Sequence, residues 1–376
     1  MRINYLELHN FRNYGDLRLD FNADKTIIIG ENAQGKTNIL EAIFYIASLN
    51  SYRAKSDSEL IKWGEEICNI KLEINKSDTD ILLETIINPP KKKILKVNSL
   101  KKNKSSDFIS NLCVVNFSTA DLMLLRGAPE DRRNWLDIAI SQIYPAYLDR
   151  LSKYNKIRLQ KNNCLKELRT EQSQNHEILD VWNSQLAVVG SNIIYLRLNF
   201  LNELIKNAKE MHKHISGTEE LDITYNSTVI TDIKINGTLE IKNEEILEKF
   251  NKELDMRKHE EIVRAQSIVG PHRDDISYFI NKNDAKKFAS QGQQRTVVLA
   301  LKLAELNLIK QKTGHNPVLL LDDVLAELDG ERQNYLLNAI SENIQTVVTS
   351  VDAANFKEDF LKNVEIYKIK EGKLEK

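Results

Sequence analysis

Glycine, lysine and threonine at one fixed spacing carry the first recognisable chemistry in this chain. In GENAQGKTN, Gly30, Gly35, Lys36 and Thr37 satisfy the pattern GxxxxGK[ST], which cradles phosphate groups. Glycines let backbone N–H groups turn inward around phosphate oxygens, and a helix that follows adds the partial positive charge of its N-terminus. Lys36 then reaches the β- and γ-phosphates of ATP, and the Thr37 hydroxyl ligates Mg2+. Asn32 and Asn38 line the same loop. The flanks agree. KTIIIG (Lys25 to Gly30) reads as a buried strand, and KTNILEAIFYIASL (Lys36 to Leu49) as an amphipathic helix with apolar residues at helical spacing.

A phosphate loop needs a carboxylate to organise its metal. NPVLLLDDVLAELDGERQ, near the C-terminus, runs an apolar stretch from Val318 to Leu321 into two aspartates, as expected of a buried strand delivering acids at its C-terminal end. Asp322 is assigned to Mg2+, and Asp323 to orienting and polarising the attacking water. With Lys36 they form the catalytic set. Before them, FASQGQQRTVVLALKLAELNLIK opens a long helix with Ser290, Gly292 and Gln293 at its start. A helix N-terminus is a second phosphate-type site by the dipole argument. One nucleotide does not need two such sites, so this one is expected to cap the ATP of a second subunit, giving an ATP-dependent homodimer.

Together with LELHNFRNY, GKTNILEAI, GAPEDRRNWLD and GPHRDD, these stretches resemble the ABC-type ATPase heads of the SMC superfamily, most closely its RecF family, from residue 3 to about residue 352. The resemblance implies an α/β fold: an ABC-type P-loop ATPase head with a second, mainly helical lobe bearing a short antiparallel helical arm. It implies that Ser290, Gly292 and Gln293 act in trans, that Glu327, Leu328 and Asp329 form a D-loop passing between two heads, and that Arg12 and Asn13 lie beside the nucleotide. Arg132 and Arg133 fall in the family's arginine motif. It further implies ATP-gated clamping of double-stranded DNA near single-strand gaps, slow hydrolysis that releases the DNA, partnership with RecO and RecR, and help in loading a recombinase. Two departures stand out. The strand IQTVVTSVD ends in Thr349 and Ser350 where most ABC ATPases follow with a histidine, so sensing of the γ-phosphate falls to a hydroxyl. CVVNFSTADL lacks the usual metal-contacting glutamine, and no ligand is assigned there.

Three segments are expected to position these groups: a P-loop lobe over 1–118, a helical lobe with the arm and a small β segment over 119–263, and the rest of the head, with signature, Walker B and D-loop, over 264–376. Helical pattern runs from about Glu130 to Leu168 with a break at Pro145. A polar turn at Thr170–Glu177 then leads into a second helix reaching about His214. Trp182, Leu186, Val189, Ile193, Leu196 and Phe200 are spaced as a coiled-coil seam of about three heptads; core packing of a helical subdomain gives the same pattern. Long SMC tethers do not fit between Thr37 and Ser290. Strand-like alternation follows Gly217, with Asn236–Gly237 as a hairpin turn signal. GPHRDD presents His272, Arg273, Asp274 and Asp275, either a structural part of the head or a metal or nuclease cluster.

The chain carries 53 basic and 54 acidic residues in 376, a net charge of −1, so any nucleic-acid site must be a local patch. PPKKKILKVNSLKKNK holds seven lysines from Lys91 to Lys104 and no acid. It reads as a β-hairpin edge, where lysines either protect an edge strand or contact DNA phosphates; Lys91, Lys92, Lys93, Lys101 and Lys102 are the candidates. Three dispersed cysteines, Cys68, Cys113 and Cys164, fit a reducing compartment without a zinc site. The first residues lack a signal-peptide core and no apolar run approaches membrane-spanning length, so a cytoplasmic protein without a membrane partner is expected. An ATPase subunit of another ABC-type assembly, in a transporter or linked to a nuclease, is the alternative.

Overall fold

The computed structural model describes residues 1–170, 176–231, 233–340, 343–352, 356 and 360–375; most of the turn expected at Thr170–Glu177 lies outside them. The chain forms two compact units, Met1–Asp121 with Glu305–Lys376, and Leu122–Ala304. The first change of unit falls close to the expected 118/119 boundary. The expected break at 263/264 does not return the chain to the first unit. Strand Asp275–Ile280 pairs antiparallel with Leu221–Asn226, which keeps the following residues with the second unit until partway along the helix Gln291–Thr313.

Two sheets build the first unit. One runs in the order Val114–Ser118, Val318–Asp322, Thr346–Ser350, Lys25–Ile29 and Val364–Lys370, all parallel, with Lys373–Glu375 antiparallel at the edge. Its inner strands are near-continuous apolar runs, as parallel sheets covered on both faces require: Ile27, Ile28, Leu319, Leu320, Leu321 and Val347 have no exposed surface. The other sheet is antiparallel, in the order Tyr14–Asp20, Arg2–Phe11, Cys68–Lys76, Thr79–Ile87, Ile94–Val97 and Leu100–Lys102. Here burial alternates, with Ile70, Leu72 and Ile74 inward, because one face is solvated. Helix Lys36–Ser48 packs against strands of both sheets. All its residues except Thr37 and Asn38 are therefore buried, and those two remain at the mouth of the loop.

In the second unit, Pro129–Ile143 ends at Tyr144 and Ala146–Arg169 begins after Pro145, the expected break. Ala146–Arg169 and His176–Ser216 run antiparallel: Tyr147 meets Arg197 at one end, and Leu165 and Leu168 cluster with Leu179 at the other. Leu186, Val189, Ile193 and Phe200 of the expected seam are buried. Helices Asn243–Met256 and Lys258–Arg264 pack onto this pair as well, so the arm is a multi-helix packing rather than a two-stranded coil. Lys161 and Glu261, both fully buried, pair at 2.5 Å across it. The small sheet runs Ile233–Ile235, Leu221–Asn226, Asp275–Ile280, Asn283–Asp284. Asn236–Gly237 does not turn a hairpin. Ile233–Ile235 pairs backwards with Leu221–Asn226, so the turn precedes it, and the Gly237 N–H donates instead to Asn202.

Candidate functional site

The carboxyl ends of the parallel strands carry the phosphate loop and the aspartates, the edge where open α/β sheets bind ligands. Gly30 follows strand Lys25–Ile29, and a Cβ there would lie 2.4 Å from the Ile369 carbonyl oxygen. Gly35 has φ +113°, and a Cβ there would stand 2.7 Å from both the Asn13 amide nitrogen and the Tyr14 hydroxyl. Both positions therefore need glycine. The loop is braced from outside. Asn13 donates to the Gln34 carbonyl at 3.0 Å and accepts from Asn38 at 2.8 Å, and Tyr14 donates to the Gly35 carbonyl at 2.9 Å. Lys36 is buried and donates to the carbonyls of Gly30 and Glu31 at 2.6 and 2.9 Å. Asn32 is exposed at the crest.

Arg12 is engaged by protein acceptors. It forms a two-pronged pair with the fully buried Glu41 carboxylate, at 2.6 and 2.9 Å, and donates to the Glu59 carbonyl at 2.8 Å. Glu41 also accepts from Ser51 at 2.5 Å. Arg12 thus anchors the P-loop helix, with its donors spent on protein acceptors. Asn13 does face the loop.

Asp322 is the centre of the site. Its Oδ1 accepts from Thr37 at 2.8 Å and from Thr349 at 2.9 Å, and its Oδ2 from Tyr52 at 3.3 Å. Burial pushes its carboxyl above the usual carboxylate range, and the Thr37 and Thr349 hydroxyls oppose that shift. Thr349 also accepts the Asp323 N–H at 3.0 Å, so its hydroxyl is tied to both aspartates. Ser350 turns away to the Asp352 carbonyl. Asp323 takes the left-handed conformation, φ 53°, which swings it off the strand line. A threonine hydroxyl beside a carboxylate is a hard oxygen set that fits Mg2+, with phosphate oxygens and water completing the shell. Tyr52 and Glu41 carried no sequence signal, because the contacts that give them a role join distant positions.

Ser290 is exposed and caps helix Gln291–Thr313. Gln293 N–H meets Ser290 Oγ at 3.2 Å, and Gln293 Oε1 accepts from Ser290 N–H at 2.8 Å, a reciprocal capping box. Gly292 lies in this first turn, and Gln293 also donates to Glu219 at 2.7 Å. Asp329 caps helix Gly330–Ala339, accepting from the Arg332 N–H at 3.0 Å and pairing with the Arg332 guanidinium.

GPHRDD is wired into the interior of the second unit. Asp274 is fully buried, accepts from Tyr225 at 2.5 Å, and is raised to about 6 by burial against the pull of Arg197. Asp275 takes a two-pronged bond from the buried Arg132 at 2.6 and 3.0 Å, and Arg133 donates to the Asp274 carbonyl. His272 Nε2 faces the Ser267 carbonyl at 3.1 Å, so it carries the proton; Nδ1 then accepts from Tyr154 at 2.7 Å. Burial lowers the imidazole to about 3. His272, Asp274, Asp275, Arg132 and Arg133 are tied to neighbouring residues of this unit, while Arg273 is exposed and donates to the Ser267 carbonyl at 3.3 Å.

The lysine segment is a hairpin, Ile94–Val97 with Leu100–Lys102, at the edge of the antiparallel sheet. Lys91, Lys92, Lys101 and Lys104 are exposed and Lys102 partly so. Lys93 is not available in the same way: it pairs with Asp57 at 3.0 Å and donates to Tyr45 at 2.8 Å. Lys96 pairs with Glu84 at 2.8 Å. Among the described residues no helix is long and apolar enough to cross a membrane.

Comparison with known proteins agrees with this geometry. The family model described as RecF/RecN/SMC N terminal domain matches residues 2–375. The DNA replication and repair protein RecF of Bacillus cytotoxicus is 41% identical over 99% of this chain and 98% of its own length. RecF of Staphylococcus carnosus is 39% identical over the full length of both. A solved structure of the recombination mediator protein RecF with ATP, in the RecFOR pathway, superposes with a TM-score of 0.90 at 32% identity, covering 100% of this chain and 97% of the other. An Smc head bound to the C-winged helix domain of ScpA shares the fold, with a TM-score of 0.54 at 16% identity. Full-length similarity at these identities places the chain in the RecF family of SMC-like, ABC-type ATPases.

Proposed function

We propose that this protein is an ATP-dependent DNA-binding ATPase of recombinational repair and replication, acting as a homodimer on double-stranded DNA beside single-strand gaps. The observation that carries the ATPase half is the 2.8 Å contact of Thr37 with Asp322, which brings the end of the phosphate loop to the acid that ends strand Val318–Asp322. Lys36 leaves the Gly30 and Glu31 carbonyls for the β- and γ-phosphate oxygens. Thr37 and Asp322 hold Mg2+, which supplies charge neutralisation on the phosphates when bound. Asp323, displaced from the strand line, accepts a proton from the attacking water. Thr349 couples the two aspartates and stands where a γ-phosphate sensor is needed; a neutral hydroxyl in that place fits a weak, DNA-stimulated activity.

ATP joins two copies because each chain carries an exposed, capped helix start that can meet the phosphates bound by the other. Ser290, Gly292 and Gln293 of one copy close over the nucleotide of the other, and Asp329 lies along the junction. The closed pair clamps duplex DNA, and hydrolysis releases it. RecR and RecO, partners implied by the family's pathway, then direct recombinase loading at the gap in the cytoplasm. A transporter or nuclease-linked assembly is not favoured, since full-length similarity runs to RecF proteins. The test is fluorescence anisotropy of a short labelled duplex at moderate salt. Binding is expected with ATP and lost with ADP; equal binding in both states, or none in either, overturns the clamp.

A further inference from the structure

Two neighbouring glutamines stand in the first turn of helix Gln291–Thr313, and each is bound by a charged residue from another stretch of the second unit. Gln293 donates its side-chain N–H to Glu219 at 2.7 Å and accepts the Ser290 N–H on its oxygen at 2.8 Å. Gln294, 6% exposed, is turned the other way. Its oxygen accepts from Arg126 Nε at 2.6 Å, and its nitrogen donates to the carbonyls of Ala289 and Ala285 at 3.2 and 3.4 Å. Both charged residues are themselves held. Helix His176–Ser216 ends at Gly217, whose N–H returns to the Lys213 carbonyl. The backbone beside Glu219 is then locked, because the Glu220 N–H donates to Asn281 Oδ1 and the Asn281 N–H to the Glu220 carbonyl, each at 2.9 Å. The ring of the buried His212 lies 3.7 Å from the Glu219 carboxylate. Arg126 closes helix Met123–Arg126, and the Gly127 carbonyl after it accepts from Lys286 at 2.9 Å.

An amide side chain has one accepting end and one donating end, and its shape favours neither orientation. A carboxylate only accepts and a guanidinium only donates. Glu219 therefore draws the NH2 of Gln293 and leaves its oxygen for the Ser290 N–H, one half of the capping box. Arg126 draws the oxygen of Gln294 and turns its NH2 to the carbonyls that precede the helix. With either polarity exchanged the turn loses bonds: a reversed Gln293 sets its NH2 against the Ser290 N–H. Glu219 lies 74 positions from Gln293, and Arg126 lies 168 from Gln294, so no local pattern declares either one.

Resting on the ATP-driven pairing proposed above, we infer that Glu219 and Arg126 are positioning residues for that pairing. By fixing which way Gln293 and Gln294 face, they set the turn over residues 290–294 in the form that meets the nucleotide of the second copy. Groups that must meet a ligand to within about 0.5 Å are held there by supporting bonds of this kind. Neither residue touches the nucleotide; each acts through its glutamine.

The test uses the full chain with four substitutions. Glu219→Lys and Arg126→Glu reverse the polarity that each glutamine meets, whereas Glu219→Gln and Arg126→Lys keep an acceptor and a donor in place. Nucleotide affinity is read with a fluorescent ATP analogue at low protein concentration, and ATP-driven pairing by sedimentation velocity. Both reversals are expected to weaken pairing by roughly 10- to 100-fold, the size of one charged hydrogen bond, with analogue affinity unchanged. The two conservative changes restore most of it. An equal mixture of Glu219→Lys with Lys36→Ala is expected to recover pairing, because one of its two junctions joins an intact phosphate loop to an intact turn. Unchanged pairing in both reversals overturns the inference. So does an equal loss in Glu219→Lys and Glu219→Gln, a parallel loss of analogue affinity, which would trace the effect to the fold, or a mixture that stays apart. Failure of the pairing reading itself looks different: wild type then stays monomeric with ATP.

Discussion

The Thr37 hydroxyl donates to the Asp322 carboxylate at 2.8 Å across 285 positions of sequence. Strand order explains the meeting. Lys25–Ile29 and Val318–Asp322 are separated only by Thr346–Ser350, so the loop after one strand reaches the acid ending the other. Lys36 waits beside them with its charge on two backbone carbonyls. Charged hydrogen bonds are worth about 1.5–3 kcal/mol each. Lys36→Ala is therefore expected to lower ATP affinity by roughly 10- to 100-fold, with some loss of stability because the buried Gly30 carbonyl loses its partner. Isothermal titration with ATP and Mg2+ checks this; wild-type affinity in the variant would remove Lys36 from the phosphate site.

Asp323 holds φ 53°, a conformation that asparagine tolerates better than most residues. Asp323→Asn thus keeps the backbone and removes the proposed base. ATP binding is expected to persist while turnover drops by about 100- to 10,000-fold, the usual range for a general base. With hydrolysis blocked, the ATP-joined dimer should accumulate in light scattering. Retained turnover in this variant would assign the base elsewhere.

The parts of this molecule legible in the sequence are those whose chemistry is local. GENAQGKTN and VLLLDD each declare a strand, a turn and a ligand within a few residues. The antiparallel arm follows from two runs of helical spacing separated by the polar stretch Thr170 to Glu177. What was hidden depends on partners far away. Arg12 adjoins the loop-facing Asn13, yet its guanidinium is taken by Glu41 and Glu59. Lys93 looks like its neighbours but is bound to Asp57 and Tyr45. Asn236–Gly237 has turn chemistry, but Ile233–Ile235 already has its partner strand. At each of these positions tertiary contacts decide how a side chain or strand is used.

Ser290 serves its own helix by the capping bonds with Gln293 and is exposed enough to serve a second copy. These roles separate by substitution. Ser290→Ala loses the cap, about 1 kcal/mol of helix stability, while leaving the surface open. Ser290→Arg loses the cap and also obstructs the surface. ATP binding is expected in both variants, ATP-driven dimerisation in the first only, as read by sedimentation velocity. Normal dimerisation of Ser290→Arg would sink the contact in trans.

The exposed lysines of the hairpin are tested apart from Lys93, which is already engaged. Glutamate at Lys91, Lys92, Lys101 and Lys102 together is expected to weaken duplex binding equally for all sequences. The slope of log affinity against log salt should fall by about 0.9 for each DNA phosphate that is no longer neutralised. Lys93→Glu instead sets a carboxylate beside Asp57 and should lower Tm first. An unchanged salt slope in the fourfold variant would leave these lysines as protection of an edge strand.

His272 gives the second unit a pH signature. Its imidazole, lowered to about 3 by burial, refuses a proton that the unfolded chain takes up near pH ~6.5. Its contribution to stability is whole above about 6.5 and is lost as pH falls toward 3. Asp274, raised to about 6, works with the opposite sign. The folded state takes its proton before the unfolded chain does, so its stabilising effect is present below the ordinary aspartate range near ~3.9 and is lost as pH rises through 6. The two nearly cancel between about pH 4 and 6 in the wild type. Subtracting a His272→Gln variant removes the Asp274 part. The stability difference between wild type and variant is expected to shrink by about 1.4 kcal/mol per pH unit from 6.5 down to 4. Urea unfolding followed by tryptophan fluorescence suits this unit, since Trp135 is buried there while Trp63 of the other unit is 98% exposed and changes environment little on unfolding. A difference that stays constant with pH would mean that His272 is not held neutral by its bonds to Tyr154 and Ser267.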